Sequence, residues 1–252
     1  MSKGENSQGE KIKALEGGYF IALSIKVEKT QKKRFREGIK QQLTSALEIP
    51  IKKGAVEGIS VYNHKKAAEK HGEFPLWDYL VVLQLKNKEA ADEISSDLEK
   101  IKFFFQMEKV RIELLVSTPN STYPIPGEGA GKRHMKPFYA VEYVDVQKEY
   151  IDDFRQIMIT NNGPAMRYIM EHAKWCYNFY ALETVSVFYH NPKYPTWNQV
   201  HIIGLYLESI IKYKKDFSKG LELANNVSFE ENFTRLKKIR TMLYKSIGGK
   251  LV

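Results

Sequence analysis

Cysteine is nearly absent: Cys176 stands alone among 252 residues. This excludes an intramolecular disulfide framework and any multi-cysteine zinc site within one chain, and it suits a reducing compartment. No run approaches about 18 consecutive apolar residues, so no transmembrane helix is expected. The opening MSKGENSQGEKIK has no apolar core of a secretory signal, and a cytoplasmic location is expected. Acidic residues are outnumbered, 30 against 39 Lys and Arg, for a net charge of +9. The excess is dispersed. Lys32, Lys33, Arg34, Arg36 and Lys40 share one segment, and Arg235, Lys237, Lys238, Arg240 and Lys245 another, with Asp92–Glu93 and Asp152–Asp153 between. Such runs read as solvated helix faces, and neither a nucleic acid nor a membrane is expected as partner.

With 43% hydrophobic residues the chain can bury a core. Residues 1–17 are polar and read as a flexible tail. Tyr19–Val27 is strand-like. A helix then carries Phe35, Ile39, Leu43 and Ala46 at helical spacing. Val56–Tyr62 and Trp77–Leu85 read as strands. Ala90, Ile94, Leu98 and Ile101 mark a second helix, and Val110–Val116 a fourth strand. Residues 118–136 hold three prolines and three glycines, the composition of a linker. Their GEGAGK stretch is no phosphate loop: Pro126 and Arg133 break the required spacing, and a strand follows it.

The order then restarts at Phe138–Val144. A helix bearing Tyr150, Phe154, Ile157 and Met158 is interrupted at Asn162-Gly163-Pro164 and resumes through Met166, Ile169, Met170 and Ala173. Leu182–Tyr189 and Val200–Leu207 read as strands. Another helix carries Tyr213, Phe217, Leu221 and Ala224. Ser228 and Glu231 form a capping box for a last helix, with Phe233, Leu236, Ile239 and Leu243 inward. No fourth strand is evident in this half, where the final helix replaces or covers it.

Self-similarity is the strongest signal. Ile59-Ser-Val-Tyr-Asn-His64 matches Val185-Ser-Val-Phe-Tyr-His190. Phe74-Pro-Leu-Trp-Asp78 matches Tyr194-Pro-Thr-Trp-Asn198. Phe35-Arg36 matches Phe154-Arg155, and Tyr19 falls opposite Phe138. The first pair is offset by 126 residues and the others by 119 or 120, which one loop deletion would explain. The expected fold is α+β: two tandem ferredoxin-like βαββαβ units, residues 18–117 and 137–252, joined by the 118–136 linker. Their sheets would close face to face into a pseudo-dimeric barrel within the chain, with a C-terminal helix.

In that arrangement, and with Asn161-Asn-Gly-Pro-Ala-Met166 followed by a helix and then by Trp197-Asn-Gln-Val-His201, the chain resembles a fused two-repeat member of the dimeric α/β-barrel superfamily, of uncharacterised bacterial type. The resemblance implies a barrel whose interior holds a small molecule. It admits cofactor-free monooxygenases and cyclases, haem-dependent chlorite-dismutase-like enzymes and aldoxime dehydratases, so fold alone does not fix function.

Strand alternation selects candidate residues. Ile59 and Val61 should meet the helices, and Ser60, Tyr62 and His64 the interior. In the second copy Val185 and Val187 should oppose Ser186, Phe188 and His190. Trp197, Gln199 and His201 are expected to share one face, as are Trp77 and Tyr79. The candidate ligand site is therefore Tyr62, His64, Trp77, Phe188, Trp197 and Gln199, for a small planar or aromatic molecule. His190 and His201, on neighbouring strands, are the candidate acid–base pair. The alternative leaves both as strand-end histidines bonded to backbone or water, and both tryptophans as plugs of the core.

No metal-ligand spacing occurs, so no metal and no cofactor is expected. Haem is the alternative. The resemblance then points to His172, at a helix end, as axial ligand; a surface histidine is the competing reading. A third reading, an RNA-binding module, lacks its RNP1 pattern: Asp78-Tyr-Leu-Val-Val-Leu-Gln-Leu85 has no glycine and one aromatic. A chain that closes its own barrel suits a monomer or a homodimer.

Overall fold

The computed structural model describes residues 12–70, 76–100, 107–123 and 136–252. The sequence-assigned tail before Ile12, the Ile101 position and most of the glycine-rich linker lie outside these, as do the side chains of 96–100. The first unit contains β1 (Tyr19–Val27), α1 (Lys32–Ala46), α2 (Glu48–Lys52), β2 (Val56–Lys70), β3 (Tyr79–Leu85), α3 (Glu89–Lys100) and β4 (Met107–Tyr123). The second contains β5 (Phe138–Val146), α4 (Ile151–Ile157), α5 (Gly163–Tyr168), β6 (Cys176–His190), β7 (Gln199–Leu205), α6 (Ser209–Asn225), α7 (Phe229–Ile239) and β8 (Arg240–Lys250).

The eight strands close into an antiparallel barrel in the order β1-β3-β2-β8-β5-β7-β6-β4. Each unit supplies four neighbouring strands, and β2–β8 and β4–β6 are the seams. Closure leaves no sheet edge. Helices cover the outer faces of both halves, so the open sheet that an RNA-recognition module needs has no counterpart among the described residues.

Three apolar clusters follow from alternation. Phe35, Ile39 and Leu43 of α1 and Ala90 and Ile94 of α3 pack on the outward residues of β1–β4. Phe154, Ile157, Met166, Phe217 and Leu236 do the same for the second unit. Inside the barrel lie Phe20, Tyr62, Trp77, Tyr143, Leu182, Trp197 and Tyr244. Trp77 and Trp197 are fully buried there.

Three expectations change at the ends of elements. The second unit does have a fourth strand. Helix α7 starts at the expected Ser228 cap, whose Oγ accepts from Glu231 N at 3.1 Å, but it stops at Ile239, and Arg240 is already extended. Leu243 belongs to β8. Strand β4 runs on to Tyr123, into the segment assigned by composition to a linker. Residues 12–17, assigned to a flexible tail, are pinned: Leu15 N donates to Thr122 O at 2.7 Å and Ile12 N to Glu171 Oε1 at 2.9 Å.

The duplication is real, but one of its matches is not. Asp78 Oδ2 accepts from Val27 N at 3.0 Å, and Asn198 Oδ1 accepts from Val146 N at 2.9 Å. These are the same bond in both units, at offsets of 120 and 119 residues. Register agrees: Tyr62 pairs with Leu80 as Leu182 pairs with Val200, and the bulge at Val56/Gly58 recurs at Cys176/Asn178. Tyr62 therefore corresponds to Leu182, not Phe188. The 126-residue match between ISVYNH and VSVFYH joins non-equivalent stretches, and no loop was shortened.

Candidate functional site

The corrected register relocates several candidates. Val185 and Val187, expected against helices, are 43% and 45% exposed, because they lie beyond the part of β6 that pairs with β7. Phe188 packs on the first unit's helix-side core rather than inside the barrel. Tyr62, Trp77 and Trp197 do face inward. Gln199 and His201 do not share the face of Trp197: Val200 and Ile202 point in, so Gln199 and His201 point out toward the helices. The alternation restarts because Asn198 bonds both ways with Val146, N–H to Oδ1 and Nδ2 to O, and regular pairing begins only at Gln199. Tyr79 leaves the face of Trp77 in the same way and joins the outer cluster.

His190 and His201 are not brought together. His201 faces Ala181 across the β6–β7 ladder. His190 sits at the end of β6, its Nε2 3.1 Å from Tyr194 O and its ring edge-on to Trp197. Burial and the nearby Arg111 cation hold its pKa below the ordinary value. His64 lies between Trp77 and Tyr244, with Nδ1 2.8 Å from Ser246 Oγ, and burial lowers it too. His172 is exposed, stacks on Tyr168 and shares a 3.1 Å contact with Tyr168 O. It lines no described cavity.

Among the described residues, the buried side chains of the inner cluster take up much of the interior. A cavity of about 200 Å³ remains at one end of the barrel, beside Phe20, Tyr62, Tyr180 and Ile202. A buried pair absent from sequence reasoning occupies other interior space: Arg111 Nη2 lies 3.0 Å from Glu113 Oε2, and Trp197 Nε1 and Thr184 Oγ1 donate to the same carboxylate at 2.7 and 2.8 Å. Burial pushes the Glu113 carboxyl up, against the pull of Arg111 and the two donors. The two residues, two apart on β4, both point inward, opposite the helix-facing Ile112 and Leu114.

A cavity of about 590 Å³ lies outside the barrel, between the sheet of the second unit and its helices. Met158, Met166, Trp175, Phe179, Phe217 and Phe233 form apolar walls. Glu142, His201, Arg240 and Lys245 come from the sheet side, with Lys237 from α7 and Glu69 from β2.

The local sequence explains why space remains here. Two π-helical turns, Met158–Asn162 and Ile169–Ala173, bracket α5 and widen the helical path. Asn161 and Asn162 then tie this helix to its neighbours. Asn161 Nδ2 donates to Asn232 Oδ1 at 2.9 Å, Asn232 Nδ2 to Asn162 Oδ1 at 2.8 Å, and Asn225 Nδ2 to Asn161 Oδ1 at 2.8 Å. Gly163 is required for close approach: a Cβ there would stand 2.0 Å from Asn120 O. The Asn-Asn-Gly-Pro stretch is a packing device that positions the cavity roof.

His201 is buried and has two distinct nitrogens. Nδ1 lies 3.4 Å from Glu142 Oε2, a long contact, while the other Glu142 oxygen is 2.7 Å from Lys245 Nζ. Burial opposes charge on Glu142, but Lys245, His201 and Arg240 outweigh it and hold the carboxyl far below the ordinary range. Lys245 is correspondingly held above its usual value by Glu142. An ionised Glu142 only accepts hydrogen bonds. In neutral His201 the proton therefore sits on Nδ1, and Nε2 carries the lone pair. That Nε2 is buried without a hydrogen-bond partner among the described residues. Arg240, partly buried beside the Phe154 ring, has no ion pair among the described residues. Burial weakens its hold on its proton.

No protein-family model and no curated protein matches this sequence. Solved structures do resemble the fold. Two variants of the chlorite dismutase from Candidatus Nitrospira defluvii each superpose with a TM-score of 0.50. Identity is 8% for one, the complex with cyanide, covering 93% of this chain and 91% of that one. For the second it is 9%, over 95% and 93%. A candidate monooxygenase from Lactobacillus acidophilus NCFM superposes at 0.49, with 12% identity over 94% and 95%. No helix in the described residues is long and apolar enough to cross a membrane. The closed eight-stranded barrel, the twofold repetition of its bonds and the two likenesses at a TM-score of 0.50 agree on the fold: an antiparallel α/β barrel built from two ferredoxin-like units carried in one chain.

Proposed function

We propose that the chain binds a small amphipathic anion, an aromatic or polycyclic carboxylate, in the sheet–helix cavity of its second unit, and that His201 Nε2 is the acid–base group there. The carrying observation is that nitrogen: buried, unpartnered, in a cavity wall, and backed by an ionised carboxylate. The volume is in the range of small-molecule sites. The walls favour an apolar body. The cations Lys237, Arg240 and Lys245 outnumber the carboxylates Glu69 and Glu142, and Arg240 is available to a ligand carboxylate. A base aimed at a bound substrate suits proton transfer without a cofactor. The site thus lies outside the barrel rather than within it, and His190 has no part in it.

Calorimetric titration with 1-pyrenecarboxylate tests this reading. Saturable one-to-one binding is expected, weakened about tenfold by Arg240→Gln, the worth of one charge-assisted hydrogen bond. The uncharged alcohol of the same ring system should bind more weakly to the wild type and equally to both proteins. Binding that ignores both Arg240→Gln and His201→Ala would overturn the assignment.

Haem is a second reading, favoured by the same nitrogen. An imidazole held at Nδ1 by a carboxylate, with Nε2 free, is how proteins present an iron ligand, and Arg240 and Lys237 suit carboxylate side groups. On this reading His201, rather than His172, is the ligand. Haem would supply redox chemistry at that site; the chain would supply the axial nitrogen, the apolar walls and the cations. A Soret band on haemin titration that survives His172→Ala and is lost in His201→Ala would support it, and no Soret band would remove it.

A further inference from the structure

The outer surface of α6 carries an apolar tip that the fold leaves uncovered. Leu207, Ile210 and Ile211 are 55%, 73% and 87% exposed, at the turn into the helix and on its first turn. Exposed isoleucines at that level are costly unless something takes them out of water. Charged residues adjoin them: the exposed Glu208 lies between Leu207 and Ile210, and Lys212, Lys214 and Lys215 follow Ile211 within four residues. Lys214 pairs with Glu230 at 2.9 Å; Lys212 and Lys215 have no ion pair among the described residues. The helix itself is firmly seated. Phe217 and Leu221 are buried, and Asp216 accepts from Trp175 Nε1 at 2.8 Å.

We infer that this tip docks the protein on an anionic lipid surface, with Leu207, Ile210 and Ile211 entering the headgroup–acyl boundary and Lys212 and Lys215 meeting the lipid charge. Charge decides between occupants. A twofold contact with a second copy through this tip would bring like lysine clusters together, whereas an anionic bilayer satisfies both the apolar and the cationic parts. The overall charge of +9 acts in the same direction. No helix spans, so the attachment is peripheral. The inference is independent of the cavity's ligand. Placement adds one consequence: the opposite side of the same helix, through Ser209, Tyr213 and Phe217, lines the cavity, so an amphipathic ligand could pass from lipid along α6.

Sedimentation of the full chain with vesicles tests it. Binding is expected to vesicles of phosphatidylcholine with phosphatidylglycerol, and at least tenfold less to phosphatidylcholine alone. The double variant I210S/I211S should lower the partition coefficient about tenfold or more, and K212E/K215E should abolish the preference for anionic vesicles. Circular dichroism and thermal melts should leave both variants folded, since all four side chains point to solvent. Equal binding of wild type and I210S/I211S overturns the inference, as does failure to bind anionic vesicles. Self-association of the wild type that I210S/I211S relieves, without vesicle binding, assigns the tip to a second copy instead. Pyrenecarboxylate binding in the absence of vesicles is read separately, so either proposal can fail alone.

Discussion

One oxygen of Glu142 lies 2.7 Å from the Lys245 ammonium, while the other lies 3.4 Å from Nδ1 of His201. One carboxylate thus neutralises a cation and sets which nitrogen of the imidazole is free. The tautomer of His201 follows from the ion pair beside it.

Glu142→Gln should break both contacts at little cost in shape. Lys245 is about one-third exposed and Glu142 nearly buried, so the loss falls between surface and buried pairs, about 2 kcal/mol at pH 7. The pH dependence has a definite sign. A carboxyl held below its unfolded value stabilises above the ordinary carboxylate range, and that contribution is lost as pH falls through the folded value. Lys245, held high, stabilises below its ordinary value and loses this as pH rises through its folded one. Urea unfolding should show the variant's deficit at pH 7 and its disappearance in strong acid. A deficit unchanged in acid would show that charge is not its source.

Inside the barrel, Arg111→Met should cost about 3–5 kcal/mol, because it leaves Glu113 buried with no cation. The double variant Arg111→Met, Glu113→Leu should recover most of this. Chemical denaturation of the four proteins measures the coupling. Additive losses would contradict a shared buried pair.

Gly163→Ala should lower stability by about 3 kcal/mol, since the new methyl meets Asn120 O and Ser121 and neither is a free side-chain end. Thermal unfolding detects it. A neutral result would show that the helix can shift off β4.

His64 and His190 should both titrate below 6.5 in the folded protein, for burial disfavours their charged forms. The unfolded chain then binds protons first as pH falls through 6.5, so folding stability falls there with decreasing pH. Proton NMR of the imidazole resonances measures the two values. A value above 6.5 for either would contradict its placement.

Much of this architecture could be read from the sequence because two periodicities carry it. Phe35, Ile39 and Leu43 at helical spacing, and the repeated Pro-x-Trp-Asp/Asn, announce two copies of one unit. Three features could not be read so. The Ser, Val and His shared by Ile59–His64 and Val185–His190 suggest an equivalence that register denies, and only strand pairing fixes register. Phe233, Leu236, Ile239 and Leu243 keep helical spacing across the α7–β8 boundary, so no period change marks it. Unbroken alternation through Trp197 puts Gln199 and His201 on its face, whereas the Asn198 side chain resets it. Of the candidate site, His201 was found for the wrong face. Glu142, Arg240 and Lys245 were missed, because their strands cross only in the folded barrel.

The central claim is that the ligand lies between sheet and helices, against His201, and not inside the barrel. The direct measurement is nitrogen NMR of protein labelled at its six histidines, titrated with 1-pyrenecarboxylate. The Nε2 resonance of His201 should move in proportion to occupancy, while those of His64 and His190 at the barrel end hold still. Movement confined to His64 or His190 would put the ligand in the interior and contradict the account.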